Sequence, residues 1–148
     1  MNSVHLATPI DAPKLLPLIC AFQEEMGFGP IEEQIEAAVM PLLEGSPHGA
    51  IWLIGPRIAP VGYICVTFGW SLELGGLDGM VDEFYIRKAV RGRGMGTEAL
   101  HSLMGALKNS GLRALSLEVN RQDNALHALY QRTGFEMRSG YSLMTRVF

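Results

Sequence analysis

Val81-Asp82-Glu83-Phe84-Tyr85-Ile86 followed by Arg91-Gly92-Arg93-Gly94-Met95-Gly96 is the stretch on which the reading of this chain turns. The first segment, apolar and aromatic, reads as part of a strand over residues 80–87. The second carries three glycines in six residues and opens a segment in which Leu100, Leu103, Met104 and Leu107 recur at helical spacing. Gly111 marks the end of that helix. Glycines between a strand and a helix let the backbone take positive φ and approach a ligand with no Cβ in the way. The N–H groups at the helix start then face an anion, helped by the macrodipole. Successive amides can form an anion nest, and Arg91 and Arg93 suit phosphate oxygens. The chemistry implied is diphosphate binding. A dinucleotide fingerprint needs glycine at the sixth place from Gly92, and that place is Thr97. A Walker loop needs Gly-Lys-Ser/Thr, which is absent.

Upstream, residues 4–7 read as a short strand. Asp11 is placed to cap a helix running to about residue 26, with Leu15, Leu18, Ile19 and Phe22 as its apolar stripe. Pro13 falls in the first turn, where a missing N–H costs little, and Pro17 is expected to kink the helix. Gly27, Gly29 and Pro30 interrupt it. A second helix over residues 31–43 is acidic on one face, through Glu32, Glu33 and Glu36. Residues 50–54 and 60–68 read as strands, and Gly75, Gly76 and Gly79 predict an antiparallel hairpin whose loop spans residues 74–79. Downstream, residues 115–119 alternate as a strand. Asn124–Arg132 reads as a short helix ended by Gly134, and residues 135–148 as a final pair of strands. The class is mixed α/β, with antiparallel pairs and one β-α-β unit.

The 148 residues fit one domain, residues 1–148, and such a chain buries roughly 68–70% of its unfolded surface. Net charge is −3 with acids and bases interspersed, and the absence of a basic patch argues against nucleic acid as partner. Cys20 and Cys65 lie in apolar surroundings and read as reduced thiols rather than a disulfide framework. The opening Met1-Asn2-Ser3-Val4-His5 lacks the charged and apolar regions of a signal peptide. Residues 58–70 are broken by Pro60, Gly62 and Gly69 and are too short to cross a bilayer. A cytoplasmic protein without a membrane partner is therefore expected, and a homodimer is left open. His5, His48, His101 and His127 show no metal-ligand spacing, so no metal is expected.

Arg91, Gly94 and Gly96 spell Arg-x-x-Gly-x-Gly between strand and helix. Leu129-Tyr130-Gln131-Arg132-Thr133-Gly134-Phe135 spells Leu-Tyr-x-x-x-Gly-Phe in the expected order behind it. Together these resemble the acetyl-CoA loop and the distal signature of the GNAT superfamily of N-acetyltransferases, most closely over residues 80–135. Residues 62–86 also look like the diamine, polyamine and thialysine acetyltransferase branch. The resemblance implies a largely antiparallel sheet with helices on both faces and a splayed strand pair that holds acetyl-CoA as co-substrate. It places Phe84, Tyr85, Ile86, Arg91, Gly92, Arg93, Gly94, Met95, Gly96 and Thr97 along that molecule. The backbone N–H of Ile86 would polarise the thioester carbonyl, and Tyr130 would act as general acid toward the departing sulfur. One position departs from the family: where an asparagine is usual, seven residues before the tyrosine, this chain has Asp123. Either Asn124 reaches the cofactor from a shifted turn, or Asp123 or Asn124 caps the helix.

Amide formation from a thioester needs a neutral amine, and an alkylammonium has a pKa of about 10.4, so a base must take its proton. Glu83 is the best-placed base, directly or through water. On an ideal strand it shares a face with Tyr85, while Asp82, Phe84 and Ile86 share the other. A bulge would change that parity, so Asp82 stays a rival. Cys65 has no His or cationic neighbour in sequence and reads as an inert core thiol rather than a nucleophile. The acids Asp82, Glu83, Glu73, Asp78, Glu24 and Glu25, with those of the second helix, point to a small cationic primary amine as acceptor. A non-catalytic acyl-CoA sensor and an acetyltransferase acting on a protein N-terminus or lysine are the other readings. The pairing of Tyr130 with Asp82 and Glu83 favours an enzyme acting in a ternary complex.

Overall fold

The computed structural model describes residues 3–148; Met1 and Asn2, part of the segment read for a signal peptide, lie outside them. The chain divides into two units, one ending at Glu118 and one comprising Val119–Phe148. In the first, β1 (Val4–Leu6), β2 (Gly49–Ile54), β3 (Gly62–Ser71), β4 (Gly76–Ile86) and β5 (Ala114–Leu117) form one sheet in sequential order. The first three pairings are antiparallel and β4 pairs with β5 in parallel. That last pairing requires a crossover, which is α3 (Met95–Asn109). The helices α1 (Ala12–Glu25) and α2 (Glu32–Leu43) precede β2.

Alternation along the strands sorts the core onto two faces. Ile51, Leu53, Tyr63, Cys65 and Tyr85 pack with Leu15, Leu18 and Ile19 of α1 and Ile35, Val39 and Leu43 of α2. Ile54, Ile64, Val66 and Val81 pack with Ala99, Leu103 and Leu107 of α3. Helices thus cover both faces, as the resemblance implied. Of the expected stripes, Leu15, Leu18 and Ile19 of α1 and Leu100, Leu103 and Leu107 of α3 are buried, while Phe22 and Met104 are partly exposed, and α1 runs through Pro17, whose ring faces solvent. Asp11 stands at the start of α1, but its carboxylate does not cap it. Instead Asp11 accepts from the Thr8 N–H at 2.9 Å and from Arg57 Nη2 at 3.2 Å. Burial pushes this carboxyl up, and the Arg57 guanidinium and Thr8 donors outweigh that and hold it below its ordinary value.

The hairpin is longer than expected and its loop shorter. β3 and β4 stay paired out to Ser71 and Gly76, so Gly76, Asp78 and Gly79 belong to β4 and not to the loop. Gly79 takes a strand position because a Cβ there would press on Val66 and Leu115.

The second unit contains α4 (Asn124–Arg132) and, among the described residues, no strand. Residues 135–148, expected as two strands, carry only a turn closed by Tyr141 N–H on Arg138 O. An isolated strand pair is marginal without a third strand or helix to cover it. Here Tyr141, Leu143, Met144, Val147 and Phe148 are all exposed.

Candidate active site

The register of the hairpin decides where the carboxylates point. Cys65 faces Glu83, and the next pair is Val66 with Val81, so Asp82 is an extra residue in β4 with no partner across the ladder. The bulge divides β4 between the two faces. Val81 packs toward α3, whereas Glu83 and Tyr85 turn toward α1 and α2. The parity expected for Glu83 and Tyr85 holds, and Asp82 is left exposed at the bulge.

Glu83 is half-buried and held on both oxygens. Tyr63 Oη donates to Oε1 at 2.8 Å, and Gln23 Nε2 donates to Oε2 at 3.2 Å. Burial raises its pKa above the ordinary carboxylate value, with help from the Asp82 charge and against the two hydrogen bonds. A carboxylate so placed gives up hydration and gains basicity, which suits a group that must take a proton. Sequence reasoning missed Tyr63 and Gln23. The Tyr63 signal lay in the register, which sets it diagonally across from Glu83, within reach of a long side chain. Cys65, beside Glu83, has its thiol pushed up to about 12 by burial and then by Asp82 and Glu83. It stays protonated and unreactive, as expected.

β5 pairs with β4 only over Asp78–Val81, and past Leu117 the two part. Residues 82–86 therefore continue with no β5 neighbour. Arg87 N–H donates to Val61 O, so the odd-numbered residues of this strand end are the ones bonded to β3. In an antiparallel ladder the alternate amides point the other way. The N–H groups of Phe84 and Ile86 therefore point to the side that β5 has left. Two strand amides thus face the side where the β5 ladder has ended, the side from which an oxygen acceptor can approach.

The glycine turn follows. Gly92 and Gly94 have φ of 79° and 78°, a left-handed conformation that side chains resist. Gly94 is the N-cap of α3, and its carbonyl receives the first helical bond, from Glu98 N–H. The amides of Met95, Gly96 and Thr97 precede that bond and have no acceptor within the helix. A Cβ on Gly92 or Gly94 would meet nothing within 4 Å, so the surface above them is open. Uncapped amides, the helix dipole and exposed Arg93 fit a diphosphate.

Arg91 is engaged elsewhere. Its Nη1 and Nη2 bond both oxygens of Glu25 at 2.8 and 2.7 Å, its Nε donates to Ile86 O at 2.8 Å, and it lies over the Tyr85 ring. Bidentate pairing fixes geometry more firmly than a single contact. Arg91 thus ties the end of α1 to the strand end ahead of the turn. Glu25, counted above among acids awaiting a cation, already has one.

In the second unit the Leu-Tyr-x-x-x-Gly-Phe signature has a mechanical explanation. Gly134 takes φ of 99° and ends α4. Phe135 N–H returns to Tyr130 O at 3.0 Å, which sets the Phe135 ring edge-on to Tyr130 at 5.7 Å. Burial, then the Asp123 charge, pushes the Tyr130 phenol up to about 12, so it keeps its proton. Asp123 Oδ1 accepts from Leu126 N–H at 3.1 Å, which makes Asp123 the N-cap and leaves Asn124 exposed in the first turn. A groove of about 740 Å³ lined by Met104, Leu107, Leu112 and Leu115 lies at the C-terminal end of α3, remote from the glycine turn. Among the described residues no group of three His, Cys, Asp or Glu side chains could hold a metal ion, and no helix is long and apolar enough to cross a membrane.

A parted strand pair, an open amide-lined turn and a carboxylate with a raised pKa lie along one strand and the turn that follows it. Residues 18–135 match the family model described as the acetyltransferase (GNAT) family, and the chain belongs to that family. It is an N-acetyltransferase, and its family typically takes acetyl-CoA as co-substrate. An integron cassette protein from the mobile metagenome of Cole Harbour Salt Marsh is similar at 36% identity and a TM-score of 0.85, over 98% of this chain and 90% of that one. Two more distant structures share the fold. The ribosomal-protein-alanine N-acetyltransferase of Brucella melitensis biovar Abortus 2308 is 17% identical, with a TM-score of 0.76 over 98% and 99% of the two chains. The aminoglycoside 6'-N-acetyltransferase of Acinetobacter haemolyticus is 14% identical, with a TM-score of 0.76 over 100% and 99%. No curated protein matches the chain.

Proposed function

We propose that the chain, as one catalytic domain, transfers the acetyl group of acetyl-CoA to a small cationic primary amine by direct attack in a ternary complex. The observation that carries this reading is Glu83: a carboxylate made more basic by burial, on the strand whose Ile86 amide points to the parted side. Acetyl-CoA supplies the activated thioester. Amides 95–97 and Arg93 hold its diphosphate, with Gly92, Gly94 and Gly96 keeping the approach open. Phe84 and Tyr85 line the strand end along the arm, Arg91 braces it, and Ile86 N–H meets the carbonyl oxygen. Glu83 takes a proton from the ammonium, and Tyr130 Oη gives one to the leaving sulfur. Asn124 is assigned to the cofactor on the family resemblance, Asp123 being occupied as the N-cap of α4.

The cationic preference narrows to Asp82 and Glu83 with the hairpin acids Glu73 and Asp78. Glu25 is neutralised by Arg91, and Glu24, Glu32, Glu33 and Glu36 are solvated surface. Asp82 stands exposed next to Glu83 at the bulge, and the pair offers an ammonium two carboxylates. A panel of amines assayed with acetyl-CoA for release of free thiol tests the reading. Diamines, polyamines and lysine-like amino acids are expected to give higher kcat/KM than neutral or anionic amines. Highest kcat/KM for acidic amino acids or aryl amines would overturn the substrate class, and no thiol release with any amine would overturn the transfer.

A further inference from the structure

We infer that Tyr63 and Gln23 are positioning residues for Glu83, each fixing one carboxylate oxygen so that a single orientation of the group meets the substrate ammonium. The inference rests on the reading of Glu83 as the base and names the machinery that sets it. Tyr63 is fully buried, and its ring is enclosed by Phe22 at 6.4 Å and Tyr85 at 6.2 Å. The phenol therefore has one posture, and its hydroxyl ends on Oε1. Gln23 comes from the opposite layer, on α1, and ends on Oε2. Its helix is braced two residues on by the bidentate Glu25–Arg91 pair. One donor is thus fixed by the sheet and one by a helix tied to the strand end before the glycine turn.

The two donors also set when Glu83 is charged. The groups facing it are Tyr63 and Cys65 on β3, Asp82 on its own strand and Gln23 from α1. Burial and Asp82 raise its pKa, and only the two hydrogen bonds lower it. Tyr63 itself is driven far above the phenol's ordinary value by burial and then by the Glu83 charge. It stays a donor at any working pH. Hydrogen bonds to an ionised group favour that form, so removing a donor must raise the pKa of Glu83 further.

The test compares Tyr63→Phe, Gln23→Leu and Glu83→Gln in full-length protein. It combines pH–rate profiles with an NMR titration of carboxyl-labelled glutamate without substrate. Tyr63→Phe is expected to move the acidic limb, and the Glu83 titration, upward by about one pH unit, the scale of a lost hydrogen bond to a charge. Gln23→Leu should move both in the same direction by less, and it reports even if Tyr63→Phe does not fold. A Glu83 titration unmoved in the foldable variants overturns the positioning roles. A limb unmoved in Glu83→Gln overturns the base reading instead, and the NMR titration still judges the two donors.

Discussion

Gly94→Ala separates the glycine turn's conformational role from mere openness. A Cβ at Gly94 would touch nothing within 4 Å, so the substitution adds no clash. What it adds is backbone strain, because Gly94 holds φ of 78° and ψ of 3° at the N-cap of α3. Forcing an L-residue into that conformation costs about 1–2 kcal/mol. In a chain of this length the melting temperature should fall by about 2–6 °C. If α3 relieves the strain by turning its first residues, amides 95–97 swing away from a bound diphosphate, and CoA affinity should fall about tenfold, the equivalent of some 1.4 kcal/mol. Gly105→Ala is the control. Gly105 lies inside the same helix with open space around it and ordinary φ, and alanine there should stabilise by about 0.5–1 kcal/mol. Calorimetric titration with CoA and thermal unfolding, run on both variants, read the two effects apart. A Gly94→Ala protein whose amides 95–97 have shifted, as read from their NMR chemical shifts, yet which binds CoA like the parent would refute the reasoning that these amides hold the diphosphate.

Two further outcomes are expected. Tyr130→Phe should lower turnover by about 10²–10⁴ while leaving CoA affinity near that of the parent; steady-state kinetics beside calorimetry decide, and native turnover would return Tyr130 to a packing role against Phe135. Asp11→Asn should cost about 1 kcal/mol at neutral pH, a modest figure because the Arg57 head is half exposed. The lowered folded-state pKa makes the native advantage complete above the free value of 3.8 and lets it fade as pH falls through the lowered value, so denaturant titrations at neutral and at low pH should differ between the proteins above that value and converge below it.

Much of the fold could be read from residue spacing. The bounds of α3 and α4 follow from Leu100, Leu103 and Leu107 and from the closing glycines, because helix period and helix stop are local signals. What could not be read depends on pairing between distant segments. The bulge at Asp82 appears only when β3 is laid against β4. The hairpin loop falls earlier than its glycines suggest, because Gly79, which would suit a turn, serves close strand packing. In the site, the turn and the tyrosine signature carry motifs. The partners of Glu83 do not, since Tyr63 and Gln23 lie 20 and 60 positions away. Asp11 and Glu25 misled for one reason: each meets an arginine distant in sequence, Arg57 and Arg91.

The order and lengths of the strands bear on how the sheet behaves toward other chains. β3 and β4, of ten and eleven residues, sit inside it, while its margins are β1 and β5, of three and four residues. A sheet margin exposes backbone donors and acceptors that a neighbouring chain can copy, which is how strand-by-strand aggregation begins. The apolar run of β3 over residues 62–67, which alone would suit such templating, has both sides already paired. An incoming strand finds only three or four rungs at either margin. Templates that short propagate poorly, and the apolar run of β3 is kept away from the two outermost strands.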